Sequence, residues 1–319
     1  MLSTRLRLAL DEGMIDTPVQ ILGADGNVDI SPLPGPVTLI STVQPDHDRL
    51  SRRGLDVATD LRAGMATTIV SLPRERALAR DRIARAAATG GRIIVDGQKT
   101  DGIDAMLKAC RAVGTVGPVI SKAHGKIFAL EGGEFRDWLA EPARNDDGYW
   151  TAPSSFSADG IDPGSAALAG VIDSLAGAVV DLGAGWGYLA GHALRSDAIT
   201  EIHLVEADLA TLDCARRNVE DPRAVFHWAD ATAFTPPRSA RHVICNPPFH
   251  KGRAGTPDLG RAFLANAARI LEPRGTLWLV ANRHLPYEST LNEHFAEVSE
   301  LPGTNAFKLY RAARPRRAR

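Results

Sequence analysis

The chain is short of the residues that would tie it to an oxidising compartment, a metal or a membrane. Its 319 residues include three cysteines, Cys110, Cys214 and Cys245, widely separated. There is no CxxC pair and no Cys/His cluster at ligand spacing. That argues against a disulfide framework or a structural zinc, and for a reducing, cytoplasmic setting without metal. No run approaches the roughly 18 apolar residues of a membrane span, so no membrane partner is expected. The N-terminal apolar stretch carries Arg5 and Arg7 but stops at Asp11-Glu12, unlike a secretory signal. Charge of either sign is not in excess either, with 37 basic residues against 38 acidic. No chain-wide field steers the protein to nucleic acid, which leaves only local patches for that purpose.

What is present is an ordinary globular composition, 44% hydrophobic and 24% charged, in a chain long enough for two domains. In the first half, residues 37–40, 67–70 and 93–95 read as buried strands, and 74–89 and 101–113 as helices. Strand alternating with helix indicates a parallel α/β sheet. Short strands at 117–121 and 126–130 close the unit. Ser41-Thr42-Val43-Gln44-Pro45, after the strand at 37–40, holds no glycine, and backbone approach to a cofactor at such a turn needs one. A non-catalytic sister domain is therefore expected over 1–140. Five arginines between Arg74 and Arg85, and Lys122-Ala123-His124-Gly125-Lys126, suit phosphate contacts or a solvated face equally. Residues 131–160, rich in Gly, Asp, Glu, Pro and Ser, hold the boundary, and the second domain is expected over 141–319.

That second half carries the chemistry. Asp162-Pro163 is a helix start, with an acid at the N-cap and proline in the first turn, and the helix is expected to run to about Leu175. A buried strand then ends in Asp181 and turns through Gly183, Gly185 and Gly187 into a helix. The glycines admit a ligand to the backbone, and Asp181 suits an ammonium or a polar hydroxyl. The strand at 202–205 ends in Glu206, placed to hold ribose hydroxyls, and the strand at 226–229 ends in Asp230, which suits an adenine amine or a helix cap. Val243-Ile244 leads into Cys245-Asn246-Pro247-Pro248-Phe249-His250. Two prolines stiffen the chain there and leave carbonyls outside any ladder. An amide, a free carbonyl and an aromatic face together suit a planar group bearing NH2. Cys245 reads as core, Trp186 and Tyr188 as packing beside the glycine loop, and His250 and Lys251 as a solvated loop or a phosphate contact. Strands at 275–282, near 298 and at 307–310 complete a sheet of seven. The arginine-rich tail from Arg311 is either an RNA tether or a solubilising end.

Asp181-Leu182-Gly183-Ala184-Gly185 followed by Asn246-Pro247-Pro248-Phe249 resembles the class I S-adenosylmethionine-dependent methyltransferases of amino and amide nitrogens. With Phe156–Ser165, Leu277–Asn282, Leu285-Pro286-Tyr287 and Phe307–Tyr310, the likeness extends to the bacterial ribosomal RNA guanine-N2 methyltransferases, the small-subunit type more closely than the large-subunit type. The resemblance implies two tandem Rossmann-like domains, the second with the cofactor motifs on a seven-stranded sheet. It implies S-adenosylmethionine held by Asp181, Gly183, Gly185, Gly187, Glu206, Asp230 and Asn246. It also implies catalysis by Asn246 and Pro247, which accept the amine hydrogens, with Phe249 stacked on the base. The partner implied is ribosomal RNA, within the small subunit. A protein glutamine N5-methyltransferase shares the chemistry, but usually has Tyr at the position of Phe249. A non-catalytic binder of cofactor or RNA has no need of the Asn246–Phe249 loop.

Overall fold

The computed structural model describes residues 2–172, 174–248 and 257–316. The chain divides into two compact units, Met1–Glu141 and Pro142–Arg319. In the first, α1 (Leu2–Asp11) precedes β1 (Val19–Leu22), β2 (Val37–Ile40), α2 (Gln44–Arg52), β3 (Asp56–Ala58), β4 (Thr67–Ser71), α3 (Arg76–Ala88), β5 (Arg92–Gln98), α4 (Ile103–Val113), β6 (Gly114–Lys122) and β7 (Gly125–Gly133). These strands form one sheet in the order β3-β2-β1-β4-β5-β7-β6.

The second unit opens on a short hairpin, β8 (Ala143–Arg144) and β9 (Trp150–Thr151). It continues through α5 (Pro163–Ala169), β10 (Gly177–Leu182), α6 (Tyr188–Ala193), β11 (Ile199–Glu206), α7 (Leu209–Asn218), β12 (Ala224–Trp228) and β13 (Ala240–Cys245). It closes with α8 (Pro257–Ile270), β14 (Leu271–Asn282), α9 (Glu288–His294), β15 (Phe295–Leu301) and β16 (Phe307–Pro315). Its sheet runs β12-β11-β10-β13-β14-β16-β15, the same topology as the first. Both units are α/β with a seven-stranded, mostly parallel sheet and an antiparallel pair at one edge; seven strands were expected for the second unit, and the first has β1 and β3 beyond the five expected there.

The central strands are nearly continuous apolar runs because helices cover both faces. Val180, Leu182, Val205, Val243 and Cys245 pack under Phe263, Leu264 and Ala267 of α8. Val179, Ile202, Leu204 and Ile244 pack on the other face with Leu168 of α5 and with Leu189 and Ala190 of α6. Cys245 is fully buried, as its reading as core required.

Two expectations are corrected. The strand preceding 37–40 escaped the sequence reading because Gln20 interrupts its apolar pattern. Gln20 is fully buried, but its amide donates to Arg62 O and Thr68 Oγ1 and accepts from the Arg62 amide, so a polar residue costs the core little. The helix opened by Asp162 ends at Ala169 rather than near Leu175. Gly170 follows it, where a helix loses about 1 kcal/mol relative to alanine. Ile172 and Leu175 are buried all the same. The arginines of α3 are also partly internal: Arg82 donates to Ser71 O, and Arg85 pairs with the buried Asp81.

Candidate active site

The parallel register brings the polar strand ends into one row. Leu182 lies opposite Val205 on one side and Cys245 on the other. One residue further along each strand come Gly183, Glu206 and Asn246. This is the carboxyl edge of an open α/β sheet, where such folds bind ligands.

From β10 the chain turns sharply. The amides of Gly183 and Ala184 both donate to Val205 O, at 2.9 and 3.0 Å. All three loop glycines are left-handed, and for two of them the reason is visible. At Gly185 (φ +56°) a Cβ would meet nothing within 4 Å, so its Cα faces open space. At Gly187 (φ +91°) a Cβ would lie 2.8 Å from Val219, so here glycine serves the packing of α6 on α7. The Asn218 amide fixes the loop further, donating to Trp186 O and Trp150 O at 2.8 Å each. Trp186 packs on Tyr149 and Tyr188, as its reading as a packing residue required, and its indole donates to Phe156 O at 3.1 Å.

Asp181 is fully buried, and neither carboxyl oxygen has a hydrogen-bond partner among the described residues. Burial pushes its pKa up to about 8, and the charge of Glu206 adds to the rise, against slight relief from the Ala190 amide of α6. A buried, unpartnered carboxyl is costly unless something cationic or hydrogen-bonding meets it. Glu206 is tied down: Oε2 accepts from the Gly185 amide and Oε1 from the Asp208 amide, both at 2.9 Å. Burial raises its pKa, and those two amides partly offset the rise. Each carboxylate oxygen keeps a second lone pair for a ligand hydroxyl. Asp230 uses Oδ1 to cap its own turn, accepting from the Thr232 amide and hydroxyl at 2.8 and 2.6 Å. No helix starts there, so the side chain closes a turn and not a helix, and Oδ2 lies outside it.

Asn246 follows β13 directly, with Pro247 buried and Pro248 exposed. Its Nδ2 donates to Asp162 Oδ2 at 3.0 Å and to Ser165 Oγ at 2.9 Å. Sequence reasoning missed both partners. Asp162 reads as an N-cap, and it is one, accepting from the Ser165 amide at 2.7 Å. A capping acid gives no sign that the same oxygen serves a second donor. Phe249, His250 and Lys251 lie outside the described residues. No group of three or more metal-ligating side chains occurs among the described residues.

The methyltransferase small domain model matches residues 148–311, the stretch that contains all of these groups. The chain belongs to the methyltransferase small domain family. It is 28% identical over 260 residues to the ribosomal RNA small subunit methyltransferase C of Shewanella pealeana, covering 76% of each chain. The same enzyme of Shewanella baltica is 26% identical over 282 residues, 83% of this chain and 78% of its own. Among solved structures, the T. thermophilus 16S rRNA N2 methyltransferase in complex with AdoMet and guanosine superposes with a TM-score of 0.80 at 25% identity. That match covers 97% of this chain and 91% of the other.

The first unit has the topology of this methyltransferase sheet with different residues at its strand ends. Leu22 pairs with Ile40 and Val70 as Leu182 pairs with Val205 and Cys245, and Gly23 and Ala24 both donate to Ile40 O. The turn that corresponds to the glycine loop is therefore 23–26, not 41–45. In equivalent places stand Ile21 for Asp181, Asp25 for Gly185, Ser41 for Glu206 and Ser71 for Asn246. The Arg82 guanidinium presses against Gly23, and Phe263 of α8 takes the corresponding place beside Gly183.

Proposed function

We propose that this methyltransferase moves a methyl group from S-adenosylmethionine to the exocyclic N2 of a guanine in 16S ribosomal RNA of the small subunit. The observation that carries the reading is the full-length likeness to the solved 16S rRNA N2 enzyme that holds AdoMet and guanosine. The residues fit the cofactor: an orphaned buried carboxyl at Asp181 suits an ammonium, and open space over Gly185 admits a ligand against backbone. Glu206 would hold the ribose hydroxyls, and Asp230 the adenine amine. Gly183 and Gly187 keep the turn that makes the approach possible. When bound, S-adenosylmethionine supplies an electrophilic methyl group.

This chain's part in transfer is orientation. A guanine amine has its lone pair delocalised into the ring, so it is a weak nucleophile, yet it needs no prior deprotonation. Asn246 Oδ1 and the Pro247 carbonyl accept its two hydrogens and turn the lone pair away from both acceptors. Phe249 supplies a stacking face. Positioning and fixed dipoles, rather than a general base, lower the barrier. The proton leaves to water after transfer. The first unit, with Ile21 and Ser41 where Asp181 and Glu206 stand in the second, is a cofactor-free sister domain that assists RNA binding, and the protein works in the cytoplasm.

The test is incubation with labelled cofactor and, separately, 30S subunits, 50S subunits and release factor, followed by nucleoside analysis. Label in N2-methylguanosine from 30S RNA is the expected result. Label in 50S RNA would favour a large-subunit role, the role named for a relative of 26% identity, the ribosomal RNA large subunit methyltransferase G of Shewanella amazonensis. Label in protein, or none, overturns the proposal.

A further inference from the structure

An asparagine side chain is ambiguous: one end accepts hydrogen bonds and the other donates. Which end faces a substrate decides whether the site welcomes an N–H or a lone pair. In this protein the choice is made by residues 81 and 84 positions away in sequence. Asn246 Nδ2 has two hydrogens, and both are used, on Asp162 Oδ2 at 3.0 Å and Ser165 Oγ at 2.9 Å. A carboxylate only accepts. Turning the amide over would set its oxygen against the oxygen of Asp162, so a single orientation survives. Oδ1 is left on the other side, and it has no hydrogen-bond donor among the described residues.

The clamp is itself rigid. The Asp162 oxygen that holds Asn246 also accepts from the Ser165 amide at 2.7 Å, which fixes it at the start of α5. Pro163 in the first turn presets the backbone there. Gly164 packs so tightly that a Cβ would come within 2.9 Å of the Phe307 ring at the start of β16. Three neighbouring residues thus do three separate tasks: Asp162 caps and clamps, Gly164 lets the turn dock, and Ser165 supplies the second acceptor.

We infer that Asp162 and Ser165 are positioning residues that lock Asn246 as a hydrogen-bond acceptor, so that the site selects a nitrogen bearing hydrogens. The inference rests on the methyl-transfer reading and adds to it the origin of its selectivity. An acceptor fixed in this way repels a carbonyl oxygen and engages an amine, which on one face of guanine distinguishes N2 from O6.

The experiment compares Asp162→Ser, Asp162→Asn and Ser165→Ala with the unmodified protein. Serine is as good an N-cap as aspartate, but its shorter side chain withdraws the acceptor from Asn246. Asp162→Ser should keep thermal stability and cofactor affinity while kcat falls on the order of 100-fold, the usual effect of losing alignment. KM for 30S subunits should stay within about threefold, since the RNA contacts are untouched. Asp162→Asn keeps an oxygen where Oδ2 stands and should recover most of the activity. Ser165→Ala keeps its backbone bond to the cap and should lose about tenfold in kcat, one hydrogen bond's worth.

Asp162→Ser retaining kcat within about threefold overturns the inference. So does Asp162→Asn failing as badly as Asp162→Ser, or cofactor affinity falling in step with kcat. An unmodified protein that transfers no methyl to RNA overturns instead the functional reading beneath it.

Discussion

Glu206 holds the glycine loop through the Gly185 amide and, from the neighbouring strand, presses the Asp181 carboxyl toward its neutral form. The two acids therefore differ: Glu206 is spent on the loop, while Asp181 is held toward its neutral form with no hydrogen-bond partner among the described residues.

Cofactor binding should release a proton. With its pKa raised to about 8, Asp181 is mostly neutral at pH 7 before a cation arrives, and it ionises against that cation. Affinity for S-adenosylmethionine should rise between about pH 6 and 8 and level off above. Calorimetry in buffers of different ionisation enthalpy should detect the proton. In Asp181→Asn the pH dependence should vanish and affinity should drop. A pH-independent affinity in the unmodified protein would show that Asp181 plays no such part.

The same group sets the direction of apo stability with pH. The folded-state pKa of about 8 lies above the unfolded value near 3.8, so the folded state binds the extra proton. Stability falls as pH rises between those values, and Glu206, also raised, acts in the same sense. A tenfold difference in proton affinity between the folded and unfolded states corresponds to about 1.4 kcal/mol. Denaturant titration of the apo protein at pH 6 and pH 8.5 should show the decline, and Asp181→Asn should flatten most of it.

Gly185→Ala and Gly187→Ala should fail differently. The first adds a methyl to open space at a left-handed residue, at about 1 kcal/mol of strain, and should chiefly abolish cofactor binding. The second drives a methyl into Val219 and should lower the thermal midpoint as well. Val219→Ala should recover part of the midpoint in Gly187→Ala and do nothing for Gly185→Ala.

In the first unit, Arg5 and Asp96 are both buried and joined by two hydrogen bonds, of 2.5 and 2.8 Å. Arg5→Met strands the carboxylate and should cost about 3–5 kcal/mol, read by scanning calorimetry on the transition of that unit. Replacing Asp96 by Asn at the same time should recover part of the loss. An unchanged transition in Arg5→Met would mean the pair is dispensable.

The row of polar strand ends was legible in sequence. Asp181, Glu206, Asp230 and Asn246 each follow an apolar run, and a parallel sheet converts such positions into one edge. The residues that were not legible have two tasks, or have their polarity satisfied from far away. Asp162 looks like a cap because it is one. Gln20 hides a strand because its partners, Arg62 and Thr68, lie more than forty positions off. With that strand hidden, the first unit's counterpart of the glycine loop, after β1, is hidden too. Ser41 and Ser71, at the edge of its sheet, gave no hint that they stand where an acid and an amide stand in the second.

β10 and β13 are immediate neighbours in the second sheet. The glycine turn and Asn246 therefore leave the sheet one strand spacing apart, about 4.8 Å. Donor and acceptor loops hang from adjacent rungs of a hydrogen-bonded ladder, and the gap between them is a ruler made of backbone. Side-chain substitutions at either loop can change what is gripped, but the ruler keeps its length.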